Sequence, residues 1–313
     1  MPGLSLPDFP EVDDGVLRAV SERHGLGAET FSLLPAVGIF NLIYLLGEDF
    51  VLRVPRDHPV SASDARKEAI AVPAAREAGV RTPRMHAFDD SREVLPVPYS
   101  IYERVRGETL GLLARDPAAL PGVWRELGRD LALLHSGVAE DGPAAGLELD
   151  EMPDPRPWPG ELAEAGYFTA TEARWLAEWL ERLAPAALAP VPRRFLHGDS
   201  QTTNVMVSEG SLEYLAVLDW GSCGWGDPAW DFAGVPLRVV PCMLEGYRSV
   251  APLDGDETAE ARILWRHLQL SLYLLRREPQ PGRSWAERPL AMLLDVMRFS
   301  LDSTAERWSA WMP

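Results

Sequence analysis

The stretch FLHGDSQTTNVMV at residues 195–207 places Asp199 directly after a His-Gly pair and Asn204 five positions on, between two apolar runs. A second aspartate, Asp219, ends the run YLAVLD and opens DWGSCGWGDPAWDFAG at 219–234. FLHG and NVMV read as short paired strands around a tight loop that presents Asp199 and Asn204, with YLAVLD as a third strand bringing Asp219 to the same rim. Two carboxylates and a carboxamide make an oxygen-rich site, which suits a hard divalent cation such as Mg²⁺ that keeps several waters. They are too few for a closed cage and leave room for phosphate oxygens. The order Asp, then Asn, then Asp followed by an aromatic and Gly is the layout of kinase-type phosphoryl transfer. In that chemistry the first Asp accepts a hydroxyl proton and the other two groups hold metal, and positioning with charge neutralisation carries most of the rate. Each aspartate alone reads as a turn or capping residue; the joint pattern, with GDPAWD downstream, favours the chemistry.

Those groups need elements to hold them. Residues 12–24 read as a helix. In FSLLPAVGIFNLIYLLGEDFVLRVP (31–55) the apolar runs are punctuated by glycine, and Gly-Glu-Asp between two of them marks a hairpin turn. Residues 61–79 read as a helix with Ser61 as its cap and Gly79 as its stop; Pro73 inside it calls for a kink or break. VPYSIYERV (97–105) alternates like a strand. After Gly107 the texture changes. Residues 121–139 carry an apolar stripe at Val123, Leu127, Leu131 and Leu134, and 169–184, 259–277 and 285–308 are again helical. The Pro- and Gly-rich stretch 141–160 reads as an ordered surface connection rather than a lid. The chain is therefore expected to be α+β, with a small sheet-rich lobe at 1–104 and a larger, mainly helical lobe at 105–313.

With 313 residues and 46% apolar content the chain can bury a large core. A formal charge of −17 argues against a nucleic-acid partner. Lys67 is the single lysine and reads as a solvated surface residue. Cys223 and Cys242 have no metal-ligand spacing, and two thiols in a chain this long suit a reducing cytosol. The N-terminal MPGLSLPDFPEVDD lacks the features of a signal peptide. No apolar run of about 18 residues calls for a membrane span. A cytoplasmic protein with no membrane partner is expected.

The segment HGDSQTTN…VLDWGSCGWGDPAWDFA resembles the aminoglycoside phosphotransferase and choline kinase family, a branch of the protein-kinase-like fold. The shared pattern is His-Gly-Asp, four residues, Asn, then Asp-Trp, then Gly-Asp-Pro and a last Asp; weaker likeness runs from about residue 31 to about 300. The resemblance implies a bilobal protein-kinase-like fold, with nucleotide bound by the first lobe and catalysis and acceptor binding in the second. It implies Asp199 as catalytic base, Asn204 and Asp219 as Mg²⁺ ligands, His197 and Asp231 as supports of the catalytic loop, and His135 as structural. In FVLRVP, Arg53 stands where the family usually has lysine; its guanidinium can fork onto phosphate oxygens, with Glu68 as partner. Gly38 in PAVGIFN is placed over the phosphates, although a β-turn explains it equally well. Glu103 and Val105 fall in the hinge, whose backbone would pair with the purine of ATP or GTP without separating the two. Ser200 and Thr203 depart from the family's usual residues and leave the subfamily open.

Only twelve positions separate Asp219 from Asp231, too few for a peptide-docking activation segment, so a small-molecule hydroxyl is the expected acceptor. Its pocket is expected from 141–160, 224–236 and the C-terminal helices, with Trp158, Trp225, Trp265, His267 and Tyr273 as candidates. Aromatics at helical spacing are more often core; Trp225, beside the metal site, is the exception. The expected protein is a small-molecule O-phosphotransferase acting on an antibiotic or related natural product, hence conferring resistance. The alternatives are a metabolic kinase of choline, sugar or amino-alcohol type, and a nucleotide-sensing binding protein without turnover. Monomer and homodimer both stay open.

Overall fold

Successive side chains of a strand point to opposite faces. In NLIYLL and FVLRVP this buries Tyr44, Leu46, Leu52 and Val54 together and sends Arg53 to the other face. The computed structural model describes residues 7–34, 40–113, 115–277, 290–302 and 306–313. It builds β1 (Phe31–Leu33), β2 (Asn41–Leu46), β3 (Phe50–Pro55), β4 (Met85–Asp89) and β5 (Tyr99–Glu103) into one antiparallel sheet of order β1-β2-β3-β5-β4. Helix α1 (Asp14–Arg23) is capped by Asp13, whose carboxylate accepts from the Val16 N–H at 2.8 Å. It packs Leu17 and Val20 with Tyr99 and Ile101.

Helix α2 (Pro59–Glu77) lies on the opposite face, where Glu68 meets Arg53 of β3. Its cap is His58, not Ser61, which sits one turn in and is buried; Pro59 at the first helical position fixes the start. The expected break at Pro73 does not occur. Pro73 lies on the exposed side of the helix, where water can take the carbonyl that lost its donor.

The remainder is mainly helical: α3 (Pro121–Gly137), α4 (Trp158–Glu164), α5 (Ala170–Ala187), α6 (Val240–Arg248), α7 (Ala259–Arg276), α8 (Ala291–Asp302) and α9 (Glu306–Ser309). Between them run β6 (Glu108–Thr109), β7 (Arg194–Leu196), β8 (Val205–Val207), β9 (Tyr214–Val217) and β10 (Gly224–Gly226). The strands flanking the 197–204 loop do not pair with one another, contrary to expectation. β7 pairs with β10, whereas β8 sits between β6 and β9. The eight intervening residues thus cross from one small sheet to another. Among the described residues no helix is long and apolar enough to cross a membrane. Both cysteines are free, and burial pushes the Cys223 thiol up to about 12.

The largest helix contact is the crossing of α3 with α6. A Cβ on Gly128 of α3 would lie 1.9 Å from the Met243 carbonyl oxygen, and one on Gly246 of α6 would lie 1.9 Å from that of Arg125. The two backbones touch, and only glycine allows it. This crossing brings Tyr247 of α6 to His135 of α3. Replacing Gly246 by Ala is expected to cost about 1–3 kcal/mol through overpacking, read as a lower urea midpoint. Gly122→Ala, at an open position in the first turn of α3, is expected to leave the midpoint unchanged or raise it slightly.

Candidate active site

The loop after β7 is built on one buried carboxylate. Asp231, in the short helix Pro228–Phe232, is 1% exposed. Its Oδ2 accepts from the His197 N–H at 2.9 Å and its Oδ1 from the Gly198 N–H at 2.7 Å. His135 Nε2 lies 2.9 Å from Oδ2; a carboxylate only accepts, so that nitrogen carries the proton. Ser200 donates its hydroxyl to the Asp231 main-chain carbonyl, and Trp230 donates its indole N–H to the Gly198 carbonyl at 3.2 Å. Burial acts to raise the Asp231 pKa, but the His135 hydrogen bond and the Gly198 N–H outweigh it and hold it below the ordinary value. Gly198 has φ 82°, and a Cβ there would lie 2.1 Å from the Ser222 carbonyl oxygen. Asp227 caps the same short helix through the Ala229 N–H at 2.9 Å and is gripped by the fully buried Arg262.

Asp199 follows with its position over-determined. Its N–H donates to His197 Nδ1 at 3.2 Å, and the other nitrogen of that ring donates to the Leu218 carbonyl at 2.9 Å. Asn204 Nδ2 donates to the Asp199 main-chain oxygen at 2.8 Å and to Oδ2 at 3.1 Å. Gln201 Nε2 reaches the same Oδ2 at 2.9 Å. Both side-chain donors converge on one oxygen, which leaves Oδ1 without a donor among the described residues. Burial raises the Asp199 pKa and the Asp219 charge adds to the rise, against the opposing effects of His197, Gln201 and Asn204.

Asp219 reaches the same rim from β9. Its φ is 66°, a left-handed conformation that a non-glycine residue holds at a cost of about 1–3 kcal/mol. The preceding N–H, of Leu218, donates to the Asn204 carbonyl at 2.7 Å and ties the two loops together. Arg53 Nη2 donates to Asp219 Oδ1 at 3.1 Å, while Nη1 donates to both oxygens of Glu68 at 2.7 and 2.8 Å. Burial raises the Asp219 pKa, but the Arg53 guanidinium and its hydrogen bond, with Glu68, bring it below the ordinary value. Glu68 is pushed to about 7, burial being the main cause and the Arg53 charge opposing it.

These groups surround a cavity of about 180 Å³ whose walls include Phe40, Asp64, Ser100, Asp199, Asp219 and Ser222. Among the described residues no three His, Cys, Asp or Glu side chains form a metal cage. Asp199 engages the Asn204 amide nitrogen, which leaves that amide oxygen free of it, and the Asp219 carboxylate lines the cavity; both are oxygen donors of the kind that a partly hydrated divalent cation takes. Glu103 ends β5, with its N–H bonded to the Arg84 carbonyl at 2.8 Å, and Val105 follows two residues on. Gly38 lies outside the described residues.

The aromatic candidates are not at this cavity. Trp225 is 7% exposed; its indole donates to the Ala144 carbonyl at 2.9 Å and its ring meets Phe195 edge-on. Burial with its single donor satisfied makes it core. Trp158 and Trp265 are buried too, and His267 donates its Nε2–H to the Phe232 carbonyl at 2.7 Å, with burial lowering its pKa to about 4. Tyr273 packs near Trp158 at the surface. Lys67 is not merely solvated; its ammonium donates to the Glu148 carbonyl at 3.2 Å, across to the 141–160 stretch. Gln201 and Tyr102 escaped the sequence reading. Tyr102 had a usable signal, since it shares a face of β5 with Ser100, toward Arg53.

A carboxyl whose folded pKa is raised from 4.5 to about 7 favours folding when protonated. Its contribution is complete below the unfolded value and disappears as pH rises through the folded one. In the nucleotide-free protein, wild-type stability relative to Glu68→Gln is therefore expected to decline between about pH 5 and about pH 8. Urea unfolding of both proteins across that range tests it; a constant difference contradicts it.

The family model described as the phosphotransferase enzyme family matches residues 34–241. Among solved structures, the chain is similar to the GDP complex of aminoglycoside 2'-phosphotransferase-IIIa, at 17% identity and TM-score 0.64, covering 89% of this chain and 95% of the other. It is similar to a choline/ethanolamine kinase family protein from Mesorhizobium loti, at 17% identity and TM-score 0.64, over 96% and 97%. A macrolide 2'-phosphotransferase from Brachybacterium faecium matches at 25% identity and TM-score 0.57, over 84% and 92%.

Proposed function

The chain belongs to the phosphotransferase enzyme family and so acts on hydroxyl groups of small molecules, and from that premise we propose that it moves the γ-phosphoryl group of ATP or GTP to a hydroxyl of an antibiotic or related natural product. The observation that carries this reading is the meeting of Asp199, Asp219, Arg53 and Glu68 at one cavity, with Asn204 bonded to Asp199. The likeness to a macrolide 2'-phosphotransferase, the highest in identity of the three structures described, supports an antibiotic acceptor. The GDP complex of an aminoglycoside relative supports a nucleoside triphosphate donor.

In this reading residues 1–104 hold the nucleotide and residues 105–313 carry catalysis and the acceptor. The backbone at Glu103 and Val105 meets the purine, and Arg53 holds phosphate oxygens with Glu68 as its counter-ion. Asn204 and Asp219 hold Mg²⁺, which when bound neutralises charge on the phosphate oxygens. Asp199 keeps Oδ2 on Gln201 and Asn204 and presents Oδ1 to the acceptor hydroxyl. The acceptor oxygen bonds to the γ-phosphorus, the bond to the bridging oxygen breaks, the nucleoside diphosphate leaves, and the hydroxyl proton passes to Asp199. With Trp225 and His267 in the core, the acceptor side falls to the surface around Gln201 and Trp230. His197 and Asp231 position the loop and do not react.

Nucleoside-diphosphate release from MgATP or MgGTP, screened against macrolides, aminoglycosides and choline, tests the acceptor class; release stimulated by choline alone contradicts the antibiotic reading. Replacing Asp199 by Ala is expected to lower turnover by about 10²–10⁴-fold while calorimetric nucleotide affinity stays within a few-fold. Undiminished turnover contradicts the assignment.

A further inference from the structure

Strand β5 alternates. Tyr99 and Ile101 enter the cluster beside α1, whereas Tyr102 turns to α2 and is 7% exposed. Its hydroxyl donates to Glu68 Oε2 at 2.6 Å. The Glu68 side chain is 4% exposed, so both of its oxygens need donors inside the protein. Arg53 serves them with one nitrogen only, Nη1, and thereby keeps Nη2 for Asp219. The tyrosine hydroxyl is the other donor to Glu68 among the described residues.

We propose that Tyr102 is a positioning residue of the nucleotide site, whose hydroxyl satisfies Glu68 and so keeps the second guanidinium nitrogen of Arg53 turned toward Asp219 and the phosphates. The inference rests on the reading of Arg53 as the phosphate-holding cation. Without the hydroxyl, the buried carboxylate is best satisfied by closing on the guanidinium as a two-nitrogen fork, the preferred geometry of such pairs. Nη2 then leaves Asp219 and the cleft. Sequence, strand alternation and the need to satisfy a buried charge thus place a residue of β5 in control of a side chain on β3.

Tyr102→Phe keeps the ring and its packing and removes only the donor. Calorimetry with Mg²⁺ and ADP, and separately with Mg²⁺ and GDP, is expected to show the dissociation constant rising about tenfold. In a Glu68→Gln background the same change is expected to add nothing, because the two act through one contact. A merely structural tyrosine would lower thermal stability and leave the dissociation constant alone; that result, or equal losses in both backgrounds, overturns the proposal. A crystal structure of nucleotide-free Tyr102→Phe tests it even if neither nucleotide binds the parent, in which case the nucleotide reading itself has failed. The 3.1 Å contact between Arg53 Nη2 and Asp219 is expected to be gone, and its retention overturns the proposal.

Discussion

A single carboxylate without access to water governs the arrangement. Asp231 lies where an unpaired charge would be expelled or protonated, and it stays ionised because two main-chain N–H groups and one imidazole converge on it. Each donor belongs to something else. His197 and Gly198 start the loop that carries Asp199; His135 ends α3 and leans on Tyr247 of α6. The glycine-to-backbone crossing of those helices therefore sets where the imidazole sits, the imidazole sets Asp231, and Asp231 sets the turn at Gly198. A core packing contact is transmitted to a side chain at the cavity through hydrogen bonds alone.

The cavity itself is a problem of crowded negative charge. Asp64, Glu68, Asp199 and Asp219 all line it, together with Arg53. Lysine at position 53 would present one nitrogen as a point charge, whereas arginine divides its fork between Glu68 and Asp219. The strained backbone of Asp219 is held by that fork and by the Leu218–Asn204 bond behind it. A divalent cation would relieve the remaining repulsion and so admit the anionic phosphate chain beside it. In the proposed role, the site is assembled with its charges unbalanced in the direction that favours the cation.

Much of this was legible in the residues because it depends on short spacing and on alternation. The interval from Asp199 to Asn204 and the Gly-Asp-Pro with its following Asp sit within single loops, and FVLRVP declared by alternation that Arg53 faces away from Leu52 and Val54. Sheet partners were not legible. β7 and β8 are only three residues each and carry no register information, so their pairing with β10 and β9 depends on contacts distant in sequence. Trp225 looked like a platform because it is near Asp219 in the chain, but neighbours along a strand point to opposite faces and it turned inward. Helix α6 does carry an apolar stripe at Val240, Met243, Leu244 and Tyr247, but its nine residues and the proline in its first turn let it pass for a connection. Lys67 gains its meaning from a partner 81 positions away, which no local pattern reveals, whereas alternation along β5 turns Tyr102 toward Arg53 without naming its partner 34 positions back.

In the proposed site, oxygens from two separate loops share one cation beside a terminal phosphate. A crystal structure with Mg²⁺ and a non-hydrolysable ATP or GTP analogue addresses it most directly. One Mg²⁺ is expected with the Asp219 carboxylate and the Asn204 amide oxygen at about 2.0–2.1 Å, phosphate oxygens completing its shell, and Asp199 Oδ1 facing the γ-phosphorus. A cation held elsewhere, or an analogue bound with Asp199 and Asp219 facing different surfaces, would contradict it.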